Sequence, residues 1–151
     1  MRDLEGKEGF GYCYECQNDN AVGHWTKIHY KTVVLGVPVE TDYLELICDK
    51  CGGPLTSDEA WKVHDLAVYN AYKKKVGLLT TDEIKQIRQK RGWSQRQLAK
   101  FLDIGEKDIT RYENGSLQTR CIDNLIRLVG DDEVFEEMCR CLHKTYVSKI
   151  K

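Results

Sequence analysis

The sequence predicts an α+β protein in which a small β-hairpin/helix unit precedes an all-α unit of five helices. Three observations carry that prediction. Two Cys-x-x-Cys pairs, Cys13/Cys16 and Cys48/Cys51, stand thirty-one residues apart. The stretch between them is rich in Val, Ile, Thr, Tyr and Leu, which suit a pleated, half-buried surface. From Thr80 onward one helix-start signal follows another, each with apolar residues at three- and four-residue spacing behind it.

A chain of 151 residues holds one ordinary domain or two small ones, and a small domain needs something besides its apolar core to hold it. With 41% apolar and 31% charged residues the chain falls among globular proteins rather than disordered or membrane ones. No segment approaches the ~18 uninterrupted apolar residues of a membrane span. The opening MRDLEGKEGF sets acids beside its basic residues with no apolar run behind them. It does not read as a secretory signal, so the expected location is the cytoplasm. The net charge of -1 hides an asymmetry: residues 1–79 carry 9 Lys/Arg against 12 Asp/Glu, residues 80–130 carry 10 against 7, and residues 131–151 carry 4 against 5. The basic middle is a mild electrostatic footprint for a polyanion.

Seven cysteines, an odd number, in a reducing compartment argue for thiolates rather than a disulfide framework. Each Cys-x-x-Cys turn points two sulfurs to one side, so Cys13, Cys16, Cys48 and Cys51 can surround one tetrahedral ion, and Zn²⁺ is the expected one. Two local disulfides or a four-thiolate iron site share the same spacing. Four thiolates fill the coordination sphere and leave no place for an activated water, so the expected zinc is structural. Gly52-Gly53 lets the backbone curl under the second pair and aim its amides at sulfur. His24 and His29 fall between the pairs, but with four sulfurs present they are not expected to be ligands.

Trp25 to Val34 and Tyr43 to Cys48, punctuated by Gly36-Val-Pro38, predict an antiparallel hairpin whose ends the metal pins together. Thr56-Ser-Asp-Glu59 has the form of a capping box opening a helix through Trp61, Val68 and Tyr72 to Lys75. Lys73-Lys-Lys75 in its last turn offsets the helix dipole, or touches DNA flanks. Val76 to Leu79 reads as a linker, which sets the domains at 1–76 and 77–151.

Thr80-Thr-Asp-Glu83 and Ser94-Gln-Arg-Gln97 are two further capping boxes. The first starts a helix with Ile84 and Ile87 on one face, ended by Gly92. The second starts a helix with Leu98, Ala99 and Leu102 facing inward. Asp103-Ile-Gly105 makes a turn, Glu106 to Glu113 forms a helix on Ile109 and Tyr112, and Asn114-Gly115 closes it. A small Ala99 lets two helices cross, and Ile104 plugs the corner. Further helices are expected over Arg120 to Val129 and Glu133 to His143. Val134, Phe135, Met138 and Leu142 on the last are core or, by preference, a two-fold dimer seam. Cys121, Cys139 and Cys141 are expected to act as small buried hydrophobes. Glu106, Lys107, Asp108, Thr110 and Arg111 point outward from the 106–113 helix. Arg111 is the first choice to pair with guanine and Lys107 the second, unless Arg111 instead pairs with nearby acids. Gln95, Arg96, Asn114 and Ser116 are placed to hold phosphates.

The string Gln95-x-x-Leu98-Ala99 through Ile104, Ile109 and Tyr112-Glu113-x-Gly115 resembles the lambda-repressor-like (Cro/C1-type) helix-turn-helix family. Asp103 stands where that family usually has Gly, and Asp tolerates a left-handed turn better than most residues. The resemblance implies that Glu106, Lys107, Thr110 and Arg111 reach base edges in the major groove. The expected fold is thus a zinc-bound β-hairpin/helix domain followed by a five-helix helix-turn-helix domain. This order of parts resembles MqsA-type antitoxins with a YgiT-type zinc finger, from Cys13 to about Leu142. That implies a homodimer joined through the C-terminal domains on a palindromic operator in double-stranded DNA, repression of its own operon, and a protein toxin bound by the zinc domain. The family's base-reading Asn and Arg correspond to Lys107 and Arg111. A stand-alone regulator from a phage or mobile element, with the zinc domain recruiting another partner, is the second reading. An enzyme is not expected, because no acid/base pair, activated nucleophile or open metal site is legible.

Overall fold

The computed structural model describes residues 3–141, and they divide into two compact units with the boundary between Lys75 and Val76. The architecture is α+β, with a four-stranded antiparallel sheet followed by six helices.

In the first unit β1 (Glu8–Cys13), β2 (Asn18–Val34), β3 (Val37–Cys48) and β4 (Leu55–Thr56) lie in the order β3-β2-β1-β4, and α1 (Asp58–Val76) follows. The expected hairpin is present and longer than foreseen: β2 and β3 pair without a break from Gly23↔Cys48 to Val34↔Val37. The turn is Leu35-Gly36, both with positive φ of 47° and 79°, which matches the right-handed twist of the flanking strands. Pro38 lies inside β3 rather than in the turn, opposite Val33. An edge strand accommodates a proline because one row of its N–H groups has no partner.

Leu35 is 76% exposed, so it carries the left-handed penalty of a side chain at φ 47° with little packing in return. Leu35→Asn is expected to stabilise the first unit by ~0.5–1 kcal/mol, read as a rise in its thermal midpoint.

Two strands were not foreseen. β1 carries Gly9 and Gly11, which dilute any strand pattern, and β4 has only two residues. Glycine is required where the strands close up: a Cβ on Gly23 would lie 2.2 Å from the Ile47 carbonyl oxygen. The core gathers Trp25, Tyr43, Leu44, Leu46 and Leu55 from the sheet with Val63 and Ala67 from α1. Each such large side chain contributes about 1.5–3 kcal/mol when taken from water. The capping box at Thr56 is not formed. Thr56 belongs to β4, and Ser57 caps α1 instead, its Oγ accepting from the Ala60 N–H at 3.1 Å. In the last turn of α1 Lys73 is fully buried, while Lys75 Nζ donates to the Pro38 carbonyl.

The second unit holds α2 (Thr81–Lys90), α3 (Gln95–Leu102), α4 (Glu106–Glu113), α5 (Arg120–Gly130) and α6 (Asp132–Cys141). Both expected boxes form, Thr80 with Glu83 and Ser94 with Gln97, each side chain reaching the other's backbone N–H. Asp103 ends α3 in the left-handed conformation, φ 54° and ψ 44°. Ile84, Leu98, Ala99, Ile109, Ile126 and Val129 are buried almost completely, with Ile104 and Tyr112 packed against them.

Residues 76–79 are built into this unit rather than being a loose linker. Leu78 and Leu79 are buried. The Leu79 N–H donates to Asp123 Oδ1 at 2.7 Å, and Gln118 Nε2 donates to the Leu79 carbonyl at 2.7 Å. Arg120 and Arg127 hold the carbonyls of Val76 and Gly77. Phe135 and Met138 of α6 pack on the core, Phe135 against Trp93 and Phe101 with the Arg91 guanidinium 4.1 Å from its ring centre. Val134 is exposed, and Leu142 and His143 lie outside the described residues. Cys121 and Cys141 are exposed and Cys139 half-buried, which corrects the expectation of buried cysteines. The inward face of α5 is set by Asp123, Ile126 and Val129, and Cys121 falls off that arc.

Candidate metal centre and nucleic-acid interface

Cys13 ends β1, where a register shift between Gly11 and Cys13 turns the strand, and Cys48 ends β3. Each pair is followed by a left-handed residue, Gln17 at φ 49° after Cys16 and Gly52 at φ 74° after Cys51, so two similar knuckles face one point. The expected backbone geometry at Gly52-Gly53 is present: the Gly53 N–H donates to Cys51 Sγ at 3.4 Å, and the Cys48 N–H donates to the Gly53 carbonyl at 2.8 Å. In the first knuckle the Cys16 N–H donates to Cys13 Sγ at 3.4 Å.

All four sulfurs lie within 4.8 Å of one another, and Cys13 Sγ and Cys51 Sγ are 3.5 Å apart. Four thiolates at about 2.3 Å from a tetrahedral ion would be about 3.8 Å apart, so the donor set fits. None of the four is joined in a disulfide, and the sulfurs gather as one group of four rather than as two local pairs. Crowding makes the thiols unequal. Backbone N–H groups of Cys51 and Lys50 lower Cys48 to about 7, while its contact with Cys51 and its burial raise Cys16 to about 12. A divalent cation replaces the protons that such a cluster otherwise keeps. His24 bonds to Asp49 at 2.9 Å and His29 to Asp42 at 2.8 Å, both outside the sulfur cluster. His24 thereby ties β2 to the second knuckle.

In the second unit α3 and α4 meet around the left-handed turn at Asp103. Arg96, Glu106, Lys107, Arg111, Asn114 and Ser116 are exposed; Gln95 and Thr110 are half-buried. Both ends of the Gln95 amide are engaged within the protein: Nε2 donates to Glu113 Oε2 and Oε1 accepts from Thr110 Oγ1, each at 2.9 Å. Thr110 Oγ1 is also 3.2 Å from the Glu106 carbonyl. These two side chains therefore brace α3 against α4. Arg111 Nη2 donates to Asp108 Oδ1 at 2.7 Å, the arrangement foreseen as the alternative to free reach. The Arg111 side chain is 66% exposed, and an exposed pair of this kind is worth at most about 1 kcal/mol, which base contacts can exceed.

The residue pair that positions α4 was not foreseen. Arg88 on α2 donates through Nε and Nη2 to both oxygens of Glu113, at 2.6 and 2.9 Å, and through Nη1 to the Trp93 carbonyl. Glu113 is 2% exposed. Burial opposes its charge, but Arg88 and Gln95 outweigh burial and hold its carboxyl below the usual carboxylate range. One signal in the sequence pointed here: Glu113 stands four residues after Ile109, on the apolar face of its helix, where a charge needs a partner.

Residues 84–121 match the family model described as helix-turn-helix. The match covers that segment alone and, with the fold, supports a Cro/C1-type helix-turn-helix domain there, of the kind that binds DNA in transcriptional regulators. Alongside it stands a four-cysteine cluster compatible with a structural zinc site. No curated protein and no solved structure matches the chain. No helix among the described residues is long and apolar enough to cross a membrane.

Proposed function

We propose that the protein is a type II antitoxin of MqsA type, which represses its own operon as a homodimer and neutralises a protein toxin. Residues 1–76 serve as the zinc and toxin-binding domain, and residues 77–151 bind DNA and dimerise. The observation that carries the DNA reading is the exposed face of α4, where Lys107 and Arg111 sit on a helix locked from behind by Glu113. In this reading Arg111 leaves Asp108 for a guanine in the major groove, Lys107 reads a neighbouring base, and Thr110, its hydroxyl held by Gln95, offers its methyl to a thymine methyl. Arg96, Asn114 and Ser116 hold phosphates, with the second Nε2 proton of Gln95, the one not given to Glu113, contributing from the first turn of α3. Glu106 and Asp108 penalise wrong sequences. A four-cysteine unit that keeps its zinc closed to water has a surface to offer rather than a reaction, which supports a stoichiometric inhibitor.

Anisotropy titrations of the upstream promoter test the repressor half. Arg111→Ala should weaken binding to that promoter by roughly 10- to 100-fold while leaving scrambled duplex within about threefold. Equal loss on both duplexes would make Arg111 a phosphate contact and remove the base-reading assignment. For the antitoxin half, deletion of this gene should make one neighbouring reading frame lethal, and its product should co-purify with the zinc unit. A locus without such a neighbour would leave a stand-alone regulator.

A further inference from the structure

Within the first unit a cleft of about 300 Å³ opens between the start of α1 and the sheet face that bears Tyr30, Tyr43 and Glu45. Tyr30 and Tyr43 share that face because Tyr30 stands opposite Thr41, and side chains two apart on a strand point the same way. From α1, Trp61 and His64 complete the wall, with the His64 ring 5.3 Å from each tyrosine ring and 5.9 Å from Trp61. The Glu45 carboxylate lines the same space and accepts the Tyr43 hydroxyl at 2.9 Å. Lysine and arginine are absent from the lining residues. Trp61 is 57% exposed, whereas Trp25, in the core of the same unit, is 3% exposed.

The chemistry of that wall is selective. Aromatic faces carry negative potential and attract a cation, more often a guanidinium than an ammonium, and a carboxylate beside them adds a full charge. The volume lies at the lower end of small-molecule sites, where one side chain fits better than an organic cofactor. An exposed tryptophan beside a half-buried and a buried tyrosine is also the make-up of an interface anchor point. We infer that this cleft receives an arginine side chain of a protein partner, its guanidinium stacked against Trp61 and the tyrosines and paired with Glu45. Only the source of the arginine rests on the reading of this unit as a protein-binding domain.

The test uses the full-length, metal-loaded chain with Nα-acetyl-arginine amide as probe, and needs neither toxin nor DNA. Labelled indoles separate Trp61 from Trp25 and Trp93 by NMR. Arginine amide should shift the Trp61 indole saturably, with a dissociation constant in the millimolar range. The uncharged isostere Nα-acetyl-citrulline amide should bind roughly fivefold more weakly or worse, and Glu45→Gln should weaken arginine amide by a similar factor. Trp61→Ala, at an exposed position, should abolish the heat of binding in calorimetry with the Trp25 and Trp93 signals unchanged. Equal binding of citrulline amide, indifference to Glu45→Gln, or shifts confined to Trp25 or Trp93 would each overturn the assignment. Free arginine binding tenfold tighter than the blocked amide would overturn the partner in favour of a small-molecule site. A silent titration leaves the antitoxin reading intact, and a locus without a toxin leaves arginine binding intact, so the two fail separately.

Discussion

Removal of the proposed structural zinc by a strong chelator is expected to unfold the first unit and leave the helices of the second in place. The cysteines are structural members of a small core, with Cys13 and Cys48 at 0% and 3% exposure beside Trp25 and Leu46. A four-cysteine zinc site contributes on the order of 10–16 kcal/mol of apparent binding free energy, as much as the whole stability of an ordinary domain. Cys48→Ser should act like the chelator, because it leaves a poor ligand buried at the end of β3. The readout is amide dispersion: signals from 8–56 should collapse while those from 81–130 persist. The ligands bind as thiolates, so protons compete with the metal, and zinc should be released as pH falls. Retention of the sheet signals after stoichiometric zinc loss would end the structural assignment.

Glu113→Ala is expected to cost the second unit ~3–5 kcal/mol. The loss strands the Arg88 guanidinium, 16% exposed, with only the Trp93 carbonyl for company, and leaves the Gln95 amide without its acceptor. A double change, Arg88→Met with Glu113→Leu, should recover much of the stability, since a well-packed apolar pair replaces a buried ion pair at little cost. Both should weaken promoter binding, because Gln95 and Thr110 lose the brace that sets α4 against α3. The ion pair also predicts an acid limit. Glu113 is held below its ordinary range in the folded state, so its contribution is complete above the unfolded carboxylate value of about 4.3. It is lost as pH falls through the lower folded value. Asp123 acts in the same direction: burial opposes its charge, but bonds from Gln118, the Leu79 N–H and Arg127 outweigh that opposition. Urea titrations below that value should show Glu113→Gln with a shallower dependence on pH than the parent protein. An unchanged slope would place the acid sensitivity elsewhere.

What could be read from sequence was local. The boxes at Thr80 and Ser94 lie within four residues, the Asp103 turn within three, and each Cys-x-x-Cys knuckle within five, so propensity and short-range chemistry decide them. The α+β class followed, as did the sulfur cluster. What escaped depends on distant partners. Arg88 and Glu113 are twenty-five residues apart, and nothing near either one names the other. β1 closes on β4 because Gly11 carries no side chain, a Cβ there lying 2.7 Å from the Thr56 carbonyl oxygen, an effect that appears in sequence only as a gap in the pattern. The exposure of Cys121 was misread because residue type was weighed above the helical arc that Ile126 and Val129 define. The Arg111–Asp108 pair, by contrast, was visible as an i, i+3 spacing.

The knot around Leu79 determines where this polypeptide can be cut. Asp123 has no exposed surface, and one of its oxygens takes its proton donors from the Leu79 amide and from Gln118. A fragment starting at Thr80 would discard that amide and the two carbonyls that cap Arg120, leaving the buried Asp123 carboxylate with only Gln118 and Arg127 to hold it. The smallest self-sufficient DNA-binding piece therefore starts at Val76 or earlier, four residues upstream of the first helix cap.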